Sequence, residues 1–165
     1  MAIGPVLIGV GANLPSRFGG PLEACEAALA ALTARGLPVF RRSRWYRSAP
    51  VPASDQPWFV NGVVEVGGAA DPVAVLGVLH AIEAAFGRVR AEANEARVLD
   101  LDLIGFGAHV RDSAPILPHP RMHLRAFVLH PLRDLVPDWR HPRLGLALPD
   151  LIATLDASQI IQPLE

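Results

Sequence analysis

Acidic and branched apolar residues alternate through Arg97-Val98-Leu99-Asp100-Leu101-Asp102-Leu103-Ile104, the two-residue period of a β-strand. Leu99, Leu101 and Leu103 then face a core, while Asp100 and Asp102 share the opposite face, about 7 Å apart at ~3.3 Å rise per residue. The run Val6-Leu7-Ile8-Gly9-Val10-Gly11 reads as a buried strand, and Leu22, Cys25, Leu29 and Leu32 mark an amphipathic helix that begins at Pro21. Two further strands are predicted over 38–47 and from Phe59 to Val66, separated by the turn-forming stretch 48–57. A second helix starts with Asp71 as N-cap and Pro72 in the first position, and stops at Gly87. The polar segment Arg88 to Arg97 leads from it into the acidic strand.

That order, β-α-β-β-α-β, predicts an α+β class protein. Its architecture is the ferredoxin-like sandwich, with helices packed on an antiparallel sheet. Beyond the acidic strand, Gly105-Phe106-Gly107 suggests a C-terminal hairpin, followed by a helix over 126–135 and a short helix near Leu151. At 165 residues and 51% hydrophobic, the chain is expected to form one domain over 1–165.

Composition narrows the chemistry. A formal net charge of −1 offers no general attraction for polyanions, so nucleic acid is not an expected partner. The lone cysteine, Cys25, excludes an internal disulfide framework. No apolar run reaches the length of a membrane span, and the expectation is a cytoplasmic protein. Lysine is absent from the chain, which rules out a Walker A loop, a Schiff-base lysine and the kinase strand lysine. A bound triphosphate would have to be neutralised by arginine and metal.

Two carboxylates held this close suit a hard cation, magnesium or manganese rather than zinc; the plainer alternative is an exposed strand face that is merely charged, since such D-x-D pairs also arise by chance. Arg88, Arg90 and Arg97 lie just upstream, as a metal-bound phosphate chain requires; the plainer alternative is a solvated loop with ion pairs to Glu92 and Glu95. Glu83 falls within the apolar spacing of the second helix, and its plainer reading is a stem that packs while the head reaches water. Asn61 shares a strand face with Phe59, so an amide sits beside an aromatic plate, a pairing that can read a flat heterocycle; a cross-strand polar residue is the alternative. His119 and His123 have zinc-like spacing, but Pro120 between them argues against a shared helical face. Gly9 and Gly11 lack the third glycine of a dinucleotide fingerprint. Arg41, Arg42, Arg44 and Arg47 with Trp45 and Tyr46 resemble a nucleic-acid surface, yet arginines on both strand faces fit a solvated edge better.

Four segments carry a family resemblance: Gly9 to Leu14; Tyr46 to Pro50 with Asp55 to Asn61; Gly87 to Arg90 with Arg97 to Leu103; and Pro118 to His123 with Arg125 to Phe127. In this order and spacing the chain resembles the 6-hydroxymethyl-7,8-dihydropterin pyrophosphokinases of folate biosynthesis. The resemblance implies transfer of pyrophosphate from ATP to hydroxymethyldihydropterin, giving AMP and the pterin diphosphate. It implies Asp100 and Asp102 as ligands of two magnesium ions, with Arg88 and Arg97 beside them in catalysis. Phe59 and Phe127 would sandwich the pterin, whose edge Asn61 and groups near Ser48 and Val51 would read. Glu83, Arg90, Arg97, His119 and Arg125 would form the ATP site, with Glu83 and Gln56 as supporting positions. The chain departs from the family pattern at Ala12, Ala49 and Leu124, and within the loop 91–96. A monomer is expected. The rival readings are a non-catalytic pterin- or nucleotide-binding module and an RNA-binding ferredoxin-like domain.

Overall fold

The computed structural model describes residues 4–88 and 97–164. Arg90 and the loop 91–96 lie outside them. Strand β1 (Val6–Ala12) leads to helix α1 (Pro21–Ala34), strands β2 (Val39–Arg42), β3 (Tyr46–Ser48) and β4 (Phe59–Val66), helix α2 (Pro72–Ala85) and strand β5 (Asp100–Phe106). A 3-10 turn (Met122–Leu124), helix α3 (Ala126–Leu135), short helix α4 (Leu148–Ala153) and strand β6 (Ile161–Pro163) complete the chain. All pairings are antiparallel. The sheet runs β5-β1-β4-β3-β6, with β2 also on β4. This is the expected α+β, ferredoxin-like arrangement.

β1 lies between β4 and β5, and its alternation builds both layers. Val6, Ile8, Val10 and Ala12 join Leu29, Leu32, Leu79 and Ile82 in a core beneath α1 and α2. Leu7 on the other face packs with Val63, Ile104, Leu129, Leu132 and Leu148 beneath α3 and α4. Asp71 caps α2 by accepting the Ala74 N–H at 2.8 Å, as the sequence predicts. The two cores thus cover both faces of the central strand β1, the first along its whole length and the second in part.

Three local features differ from the reading of the sequence. The strand expected over 38–47 breaks into β2 and β3, and the register on β4 slips by one residue between them. Ser43 causes the break: its Oγ accepts the Val63 N–H at 3.0 Å and donates to the Arg44 carbonyl at 2.6 Å, so a hydroxyl takes a ladder position. The expected hairpin after Gly107 narrows to one bridge, Arg111 to Leu117. β6 is an addition, a three-residue strand ending at a proline.

Candidate active site

Where α3 and α4 stop covering the sheet, β1 presents Gly9 and Gly11 instead of side chains, and a cavity of about 420 Å³ opens above them. Both glycines are required by close approach. A Cβ on Gly11 would stand 2.7 Å from Asn61 Oδ1, and one on Gly9 would meet Ile104 Cδ1 at 3.3 Å. The register sets their flanks: Gly11 pairs with Asn61 on one side and Asp100 on the other, and Gly9 pairs with Val63 and Asp102. The acidic pair and the amide therefore border one glycine floor.

Leu99, Leu101 and Leu103 are buried as predicted, which turns Asp100 and Asp102 into the cavity. Asp100 Oδ1 accepts from Arg88 Nη1 at 2.7 Å and is ion-paired with Arg97 Nη1 at 3.0 Å. Burial, with the neighbouring charge of Asp100 adding to it, pushes the Asp102 carboxyl up to about 7. A carboxylate so disfavoured gains from any cation brought beside it.

Glu83 is only 1% exposed, so its head does not reach water, and it is not among the residues that line the cavity. Its Oε2 accepts from Arg88 Nη1 and, at 2.8 Å, from the Leu101 N–H. The carboxylate thereby fixes the Arg88 guanidinium to the start of β5 and satisfies the cost of its own burial. Arg88 follows Gly87, whose φ of +93° ends α2.

Asn13 joins three segments, a role its place in a glycine-rich loop did not signal. It is 1% exposed. Its Oδ1 accepts the Arg97 N–H at 2.7 Å, and its Nδ2 donates to Gln56 Oε1 at 3.2 Å and the Pro57 carbonyl at 3.0 Å. Arg97 and the turn before β4 are thus held to the end of β1.

Ser48, Val51, Phe59, Asn61 and Phe127 line the same cavity. Asn61 Nδ2 donates to Ser48 Oγ at 2.7 Å, so the amide is both a cross-strand group and a cavity group. His119 and Arg125 also line it. The His119 ring is pushed down to about 4 by burial, assisted by the charge of Arg125, and its Nδ1 accepts the Arg121 N–H at 3.2 Å. A neutral imidazole beside the Arg121 and Arg125 cations can accept or donate a hydrogen bond without adding charge. Burial lowers Arg125 as well, and its guanidinium carbon lies 5.3 Å from the Phe127 ring centroid. Gly9, Gly11, Ala49, Pro50 and Arg121 are further lining residues that the patterning alone does not single out.

His123 does not join His119; its ring packs edge-on to His141 with centroids 5.6 Å apart. Among the described residues, no group of three or more His, Cys, Asp or Glu is placed to hold a metal ion by itself. The arginines of 41–47 are engaged within the chain. Arg41 pairs with Glu65 at 2.7 Å, Arg42 with Glu26 at 2.5 Å and Arg44 with Asp134 at 3.2 Å, while Arg47 lies 4.6 Å from the Trp58 ring centroid.

An antiparallel α+β sandwich with a cavity lined by carboxylates and arginines together with aromatic rings and an amide defines a class of site suited to a phosphate chain beside a flat heterocycle. Comparison with known proteins gives the family. Residues 7–137 match the family model of 7,8-dihydro-6-hydroxymethylpterin-pyrophosphokinase (HPPK), and the chain belongs to that family. It is 42% identical over 152 residues to the 2-amino-4-hydroxy-6-hydroxymethyldihydropteridine pyrophosphokinase of Pseudomonas aeruginosa, covering 90% of each chain. To the enzyme of the same name from Synechocystis it is 38% identical over 156 residues, covering 93% of this chain and 77% of that one. The solved structure of wild-type Plasmodium falciparum HPPK-DHPS with STZ-DHP shares the fold, with a TM-score of 0.68 at 13% identity, covering 90% of this chain and 42% of that one.

Proposed function

We propose that the protein transfers pyrophosphate from ATP to 6-hydroxymethyl-7,8-dihydropterin, giving AMP and the pterin diphosphate, in the folate pathway. The observation that carries this reading is the joining of two unlike sets of side chains in one cavity: the charged and imidazole groups of Asp100, Asp102, Arg88, Arg97, His119 and Arg125, and the aromatic and amide or hydroxyl groups of Phe59, Phe127, Asn61 and Ser48. The named activity of the P. aeruginosa and Synechocystis relatives supports it.

In this reading Phe59 and Phe127 take the pterin ring between them, and Asn61, Ser48 and the backbone near Val51 read its edge. Arg88, Arg97, His119 and Arg125 receive the phosphates, joined by Arg90, with Glu83 holding Arg88. The pterin hydroxyl oxygen attacks the β-phosphorus, its proton is released, and the bond from the β-phosphorus to the α,β-bridging oxygen breaks, so AMP departs. The protein's contribution is placement of the hydroxyl and the phosphate chain, and a field of fixed cations around the transferring group.

Two magnesium ions fit the donor set at Asp100 and Asp102. The ligands are hard oxygens, Asp102 is held above the usual carboxylate range by burial beside Asp100, and two protein carboxylates leave room for phosphate oxygens and water. Bound there, magnesium would lower the charge of the triphosphate that repels the attacking hydroxyl. The enzyme is read as a cytoplasmic monomer acting on small molecules rather than nucleic acid or membrane; among the described residues no helix is long and apolar enough to cross a membrane. Purified protein supplied with magnesium, ATP and hydroxymethyldihydropterin should release AMP. ADP as the product, or no nucleotide turnover, overturns the reading.

A further inference from the structure

The segment 159–163 does not line the cavity but bonds to two stretches of chain that carry lining residues. β6 pairs with β3 so that Ile161 stands opposite Ser48, and the Ala49 N–H donates to the Ile160 carbonyl at 3.1 Å. One residue earlier, the Gln159 side chain bonds to the backbone on either side of Arg125. Its Nε2 donates to the Leu124 carbonyl at 2.9 Å, and its Oε1 accepts the Ala126 N–H at 2.9 Å.

Those two backbone groups flank Arg125. It is extended, with φ −118° and ψ 113°, between the 3-10 turn and α3. A helix end leaves carbonyls without partners, and a helix start leaves N–H groups without them. Arg125 occupies the N-cap position of α3 but makes no side-chain cap, because a guanidinium has no acceptor to offer. The Gln159 amide supplies one donor and one acceptor in a single plane, and so meets both needs at once. Rotation about the Arg125 backbone would break one bond or the other. Arg125 and Phe127, which both line the cavity, are thereby aimed from a fixed base.

We propose that Gln159 is a positioning residue for the cavity, holding Arg125 for the phosphate chain and Phe127 for the heterocycle. The inference rests on the function proposed above, and Gln159 lies beyond the matched residues 7–137. Two measurements test it: hydroxymethyldihydropterin affinity by fluorescence without metal, and ATP affinity by calorimetry with magnesium. Gln159→Ala should weaken both by about 5-fold or more, the scale of one or two lost hydrogen bonds, while kcat falls by less. Gln162→Ala, on an exposed position of β6, should leave both unchanged. In an Arg125→Ala background, adding Gln159→Ala should weaken ATP no further, because the two act as one unit. Should the alanine variant melt below the working temperature, Gln159→Met keeps the stem and is read in the same way. Wild-type affinities in the Gln159 variant, with or without a lower Tm, overturn the proposal, as does a fully additive loss in the double variant. Failure of the wild-type protein to bind pterin would instead overturn the functional reading.

Discussion

The two faces of β1 obey one alternation and serve opposite ends. Val6, Ile8, Val10 and Ala12 are all buried in the core under α1 and α2, whereas on the other face Leu7 is buried and Gly9 and Gly11 are bare floor. A strand buries apolar side chains wherever a helix covers it. The cavity exists because the second face omits both the side chains and the covering helix at one end. Packing on one face and absence of packing on the other are equally encoded, the second by glycine.

Substitutions on the two faces should therefore fail in different ways. The largest effect is expected from Asp102→Ala, which should lower AMP formation by ~10³-fold or more. Its melting temperature should hold or rise, since a buried carboxyl disfavoured by its neighbour is removed; retained turnover would contradict the proposed metal role. Ile8→Ala, in the sealed core, should lower unfolding free energy by ~2–5 kcal/mol in denaturant titration, yet leave pterin affinity of the folded protein intact. Gly11→Ala reverses that pattern. Its Cβ would push on Asn61 Oδ1 from 2.7 Å, so pterin affinity should fall by about tenfold while Tm changes little.

The smallest effect concerns Cys25, in the sealed core. Burial raises its thiol from 9.0 to about 12. The native state thus keeps its proton where the unfolded chain has lost it, so this group's stability is fully present below pH 9 and is lost as pH rises toward 12. At pH 8 a thiol reagent should modify native protein far more slowly than protein in denaturant. Rapid native labelling would show that the covered face is not sealed.

Much of the fold was legible because its signals are local. The alternation through 97–104 placed Asp100 and Asp102 on one face, Asp71-Pro72 started α2, and the element order implied the ferredoxin-like sandwich. Ser43 misled the reading of 38–47 because a serine in an arginine-rich strand carries no sign that its hydroxyl will replace a ladder carbonyl. Glu83 misled it too: helical spacing placed the residue at the core, but only Arg88 and the Leu101 N–H explain a buried head. β6 left no trace, since three residues ending in proline have almost no strand pattern of their own, and pairing with β3 supplies what propensity does not.

By itself the sequence determined the class of fold, the shared face of the two aspartates and, through the absence of lysine, the use of arginine for any bound phosphate. These follow from periodicity and from side-chain chemistry, which neighbours along the chain express. Only the tertiary structure decided that Asn13 would tie Arg97 to Gln56 and Pro57, that Glu83 would stand behind Arg88, and that Gln159 would bracket Arg125. The Asn13 and Gln159 bonds join segments far apart in sequence, and Glu83, though only five residues from Arg88, is fixed by the Leu101 N–H of β5; these partners exist only once the chain has folded.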